Sequence, residues 1–165
     1  MKKKSRKPAA PKAKGRKATY EDARILMQLY DFRRECEMRK ARSFMAQFNP
    51  ASFDDFMRIV GAFGSQENTY FRQCISYWEM VASLALHDVV PRDLFNTWCG
   101  EMYFVWVKVQ PFVAQFRSTA NPNFLKNVEA LAEGTPEGRE RCDIMRNMIK
   151  RFAERAESGA ERRTA

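Results

Sequence analysis

The sequence predicts an all-α fold: a single helical bundle of five or six helices preceded by a disordered basic N-terminal tail. Three observations carry this reading. Apolar residues recur three or four apart through most of the chain, no stretch alternates as a strand would, and the punctuation between apolar runs is helix-capping chemistry. At 165 residues, 45% apolar and 13% aromatic, the chain is the size of one domain with material for one core. The expected division is a tail over 1–18, a helical domain over 19–156 and a frayed C-terminus over 157–165. No internal repeat is visible.

The tail is defined by charge. Residues 1–17 hold seven Lys, two Arg and no acid, which is the whole of the +9 formal charge, so 20 basic and 20 acidic residues remain for the body. With no Leu, Ile, Val or aromatic residue there, the segment lacks the apolar surface needed to fold. Its Lys/Ala/Pro mixture resembles in composition the tails of linker-histone-type and bacterial nucleoid proteins. Lys2, Lys3, Lys4, Arg6, Lys7, Lys12, Lys14, Arg16 and Lys17 are therefore the candidate contacts to nucleic acid or another polyanion. Removing residues 1–17 is expected to leave the fold intact. An anionic membrane surface is the second partner class.

Thr19, with Asp22 three residues on, caps the first helix. A stripe of Ile25, Leu26, Leu29, Phe32, Arg33, Cys36, Met45 and Phe48 reads as one long helix ending at Asn49-Pro50, with Arg33, Arg34, Glu35, Glu37, Arg39, Lys40 and Arg42 lacing its outer face with charge pairs. Ser52 caps a short helix using Phe53, Phe56, Ile59, Val60 and Phe63, stopped near Gly64.

The stretch from Tyr70 to Arg117 reads as the core hairpin. Phe71, Cys74, Ile75, Trp78, Val81, Ala82 and Ala85 form one stripe. Pro91 and Asp93 open a second helix whose stripe runs from Leu94 through Trp98, Met102, Val105, Trp106 and Val109 to Phe116. Pro111 removes a hydrogen bond inside it and is expected to kink it. Trp106 is expected at the centre of the core. Glu79 interrupts the apolar surroundings of Trp78 and is expected to pair with Arg117. Asn121-Pro122 and Thr135-Pro136 read as caps of two further helices, the last burying Ile144, Met145, Met148, Ile149 and Phe152.

The motif Tyr77-Trp78-Glu79 with Val81, then Asp93-Leu94, Trp106, Pro111, Val113 and Arg117, then Asn121-Pro122 and Val128-Glu129-x-Leu131, resembles a bacterial all-helical family, domain of unknown function 4760. The resemblance spans roughly residues 20–133. It implies a helical fold in which Trp78, Glu79, Trp106, Pro111 and Arg117 are structural, and it implies no activity. Members often resemble membrane-tethered proteins with spanning helices upstream, where this chain carries a basic tail.

Signatures of catalysis are missing. His87 is the single imidazole and sits where a helix ends, which suits a cap. There is no G-x-S-x-G, H-E-x-x-H, Walker or dinucleotide-binding pattern. Cys36, Cys74, Cys99 and Cys142 are far apart on helical patterns and read as reduced, buried thiols. No cofactor or metal is expected. No stretch reaches the ~20 apolar residues of a membrane span. The reading is a cytoplasmic, non-enzymatic helical binding or scaffold protein. Its tail contacts nucleic acid or another polyanion, and its body binds a protein partner or itself. The alternatives are a small-molecule or enzymatic site in the bundle around Glu79 and Arg117, and a peripheral protein held to anionic membrane by the tail.

Overall fold

The computed structural model describes the backbone of residues 16–164 and the side chains of 16–155. Among the described residues there is no strand. Eight helices follow in order: α1 (Tyr20–Arg34), α2 (Cys36–Gln47), α3 (Phe53–Val60), α4 (Gln66–Leu86), α5 (Arg92–Trp98), α6 (Gly100–Thr119), α7 (Lys126–Ala132) and α8 (Pro136–Thr164). Among the described residues no helix is long and apolar enough to cross a membrane. The cationic residues 2–14 of the tail lie outside the described residues.

The count exceeds five or six because two expected helices are each split. The first breaks at Glu35, which turns extended (φ −55°, ψ 145°) and uses its carboxylate to accept from Met38 N–H, so it is both the end of α1 and the N-cap of α2. The break resets the helical phase. Leu26 and Leu29 are buried in α1, whereas α2 buries Met38, Ala41 and Met45, and Phe48 follows it into the core. Phe32 and Cys36, expected on a continuous stripe, are exposed. The second break is at Cys99, ahead of Gly100, where Trp98 is left largely exposed and Tyr103 is buried instead. Tyr103 donates its hydroxyl to the buried Asn96 side chain across that break.

The expected α4–α6 hairpin also differs. The closest neighbours of α4 are α2, α7 and α3, while α6 lies against α8, α7 and α3, so the two helices are held together through α3 and α7, which touch both. α6 continues through Pro111, which sits on its exposed side where the carbonyl it frees can meet water. Trp78 and Trp106 are fully buried. Beside them an aromatic cluster is centred on Phe56, which meets Phe112 at 4.9 Å, Phe116 at 5.6 Å and Phe71 at 5.8 Å between ring centroids.

The last helix departs furthest. Gly138 sits so close to α7 that a Cβ would lie 2.0 Å from the Leu131 carbonyl oxygen, and this lets α8 start tightly against the bundle. Cys142 is buried. Of the apolar residues expected inside, Ile144 and Phe152 are exposed, and Met145, Met148 and Ile149 are half-buried. The helical backbone continues to Thr164, past the expected fraying point.

Candidate functional site

Two places combine chemistry with geometry: the turn that starts α7, beside an apolar groove, and the anchor of the tail.

α7 has no cap of its own. Its N-cap position is Leu125, a buried apolar residue in the left-handed region (φ 51°), a conformation that costs a non-glycine residue on the order of 1–3 kcal/mol. Asn121, expected to cap the helix with Pro122 behind it, instead accepts from Asn123 N–H in a local turn. The missing cap comes from α4. Both oxygens of Glu79 accept backbone N–H bonds at the first turn of α7, from Asn127 at 2.9 Å and Val128 at 3.1 Å. Arg117 holds the same turn from α6, donating Nε to the Phe124 carbonyl at 2.8 Å and Nη1 to Glu129 at 2.7 Å. Glu79 and Arg117 are therefore brought to one helix end, but the expected ion pair between them does not form. The carboxylate finds backbone N–H groups and the guanidinium finds a different acid.

Caps supplied by another helix recur. Asn68 on α4 donates to the Val60 carbonyl at the end of α3, and Lys108 on α6 donates to the Ala46 and Phe48 carbonyls at the end of α2. Trp106 Nε1 donates to Glu133 at 2.9 Å, tying the core ring to the end of α7.

Next to the Glu79 turn lies a groove of about 450 Å³ between the α3–α4 loop and the α6–α7 loop, with α4 as its floor. Val60, Phe71, Ile75, Phe116, Phe124 and Leu125 give it apolar walls. Phe63, expected on the buried face of α3, is 78% exposed at this groove. It falls in the loop Gly61–Gly64, where Gly64 takes φ 89° and ends any helical continuation. Arg72 stands over the Phe63 ring at 5.9 Å. Neither Arg72 nor the exposure of Phe63 is foreseen from the sequence; the two glycines flanking Phe63 were the available signal.

At the other place, Arg16 departs from the tail. Its guanidinium grips Asp22 through Nη1 at 2.7 Å and Nη2 at 2.5 Å, and donates to the Val89 carbonyl at 2.8 Å and the Asp88 carbonyl at 3.2 Å. Those carbonyls are presented by a turn in which Asp88 adopts φ 54°. Asp22 is buried. The Arg16 hydrogen bonds, helped by Thr19 N–H and hydroxyl, hold its carboxyl well below the usual range. Arg16 is thus a structural anchor, and removing it would strand a buried acid, so an intact fold after deletion of residues 1–17 is no longer expected. Lys17 is exposed.

Further cations are mostly committed. Arg33 and Arg42 share Glu101 at 2.5 and 2.8 Å, joining α1 and α2 to α6. Burial pushes the Lys108 ammonium down to about 8, while its three oxygen acceptors favour keeping the proton. Burial pushes the Cys74 and Cys99 thiols up to about 12 and Cys142 to about 11, which leaves them as inert thiols. Cys36 is exposed, against expectation. His87 closes α4, its N–H donating to the Ser83 carbonyl. No metal-binding group of three or more His, Cys, Asp or Glu occurs among the described residues.

No curated protein and no solved structure matches this chain. A family model matches residues 18–135, which takes in α1 to α7 and stops where α8 begins, and the chain belongs to that family, described as Domain of unknown function (DUF4760).

Proposed function

We propose that the protein is a non-enzymatic helical binding module, held to nucleic acid by its basic arm while its body engages a protein partner or a second copy of itself. The observation that carries this reading is the partition of charge. Residues 1–15 hold Lys2, Lys3, Lys4, Arg6, Lys7, Lys12 and Lys14 with no acid, while Arg16, the next cation, is committed to Asp22. The exposed Ile144 and Phe152 on α8 supply apolar surface of the kind a protein partner covers. Nucleic acid is favoured over an anionic membrane because the arm has no Leu, Ile, Val or aromatic side chain to insert. Buried thiols with raised pKa suit a reducing cytoplasm.

The test is fluorescence anisotropy with a labelled random-sequence duplex, using the full chain and a chain lacking residues 1–15. The reading expects sequence-independent binding by the full chain, weakening by ~0.9 log units per tenfold salt for each phosphate neutralised. It expects none by the shortened chain. Equal affinity of the two chains at ~50 mM salt overturns it. Binding to phosphatidylglycerol vesicles but not to duplex would transfer the arm to the membrane.

A further inference from the structure

The groove beside α7 has a shape and a charge that select a ligand. Its cavity of about 450 Å³ falls in the range of small-molecule sites, and its walls are apolar side chains from α3, α4, α6 and the α6–α7 loop. Only two of its lining residues carry charge, Arg72 and Glu79. Glu79 is committed, because both of its oxygens accept N–H bonds from the start of α7. Arg72 is exposed and stacks on Phe63, with no carboxylate within 4.0 Å among the described residues. An apolar groove with an exposed guanidinium that forms no ion pair among the described residues is complementary to a molecule with a hydrocarbon body and an anionic head.

We infer that this groove binds an amphipathic anion of the acyl-carboxylate class, its chain lying against Ile75, Phe116 and Phe124 and its head on Arg72. Guanidinium suits that head because its parallel N–H donors match the two oxygens of a carboxylate. Phe63 completes the site from the rim. It sits between Gly61 and Gly64 in the loop that follows α3, so its exposed ring can fold over a bound chain and lose its own contact with water. The inference does not depend on the tail, which enters neither the walls nor the head site.

Isothermal titration of the full chain with dodecanoate, kept below its micellar concentration, tests this. Saturable binding with one site per chain is expected, with dodecyltrimethylammonium at least tenfold weaker. Arg72→Gln should weaken dodecanoate by about tenfold, the scale of one lost charge-assisted contact. Arg92→Gln, at an exposed cation outside the groove, should leave it unchanged. Ile75→Trp, which fills the groove, should abolish binding, with circular dichroism confirming that the variant is folded. Absence of dodecanoate binding overturns the inference, and so does equal affinity for the cationic amphiphile or indifference to Arg72→Gln.

Discussion

Glu79 and Arg117 lie on different helices and hold the same short helix by its first turn without pairing with each other. Glu79 takes the N–H groups of Asn127 and Val128, and Arg117 takes the Phe124 carbonyl and the Glu129 carboxylate. Between the two grips sits Leu125, whose apolar side chain has no acceptor with which to cap the helix. Glu79 of Tyr77-Trp78-Glu79 and Arg117 of Pro111-x-Val113-x3-Arg117 thus form, in this chain, a device for docking α7.

Glu79→Ala should cost ~1–3 kcal/mol, since two N–H donors at a half-buried helix start lose their acceptors together. Hydrogen exchange should locate the loss, with the amides of Asn127 and Val128 deprotected ahead of those in α4. Because Arg117→Ala loosens the same turn, the double variant should lose less than the two single changes combined. Strict additivity in urea melts would mean that the two residues act on separate structures.

Trp106→Ala should cost ~3–5 kcal/mol, the price of a large cavity in a close-packed core. Trp106→Phe should cost less, because most of the ring volume is kept and only the bond to Glu133 and part of the indole are lost. Denaturant midpoints would check the order; a loss under about 1 kcal/mol for the alanine variant would be incompatible with a ring that is 1% exposed.

Two truncations should separate. A chain lacking residues 1–15 should melt like the full chain, while one lacking 1–17 should melt at a lower temperature, having lost the partner of buried Asp22. Arg16→Ala in the full chain should reproduce the loss. Identical melting of all three would place Arg16 outside the fold's stabilising contacts.

Acid titration gives the sign of the same interaction. The folded pKa of Asp22 is depressed, so its contribution is complete above the unfolded carboxyl value of ~4 and is lost as pH falls from there toward the folded value. Thermal melts below about pH 4 should therefore lose stability more steeply in the native chain than in Asp22→Asn, which has no proton to take up. Parallel curves would contradict a depressed Asp22.

Thiol labelling at neutral pH should modify Cys36 quickly and leave Cys74, Cys99 and Cys142 protected until the chain unfolds. Mass spectrometry counts the labels; prompt modification of two or more would show that the core opens far more readily than its burial implies.

What the sequence settled by itself is local. Three-to-four spacing of apolar residues makes helices wherever they occur, so the all-α class, the stripe from Phe71 to Ala85, the burial of Trp78 and Trp106, and the caps at Thr19, Ser52 and Thr135 were all readable from neighbours within a few turns. The phase change around Glu35 was also present, as a gap in the expected stripe between Cys36 and Met45 that Met38 and Ala41 fill on a rotated face. Which carboxylate meets which donor was not readable, because that depends on where distant helix ends arrive. Glu79 reaches α7 across 48 residues, Lys108 reaches α2 across 62 at its furthest acceptor, and Arg16 reaches Val89 across 73. A helix end with no local cap leaves its backbone groups open to whichever side chain the packing brings, and only the tertiary structure makes that choice.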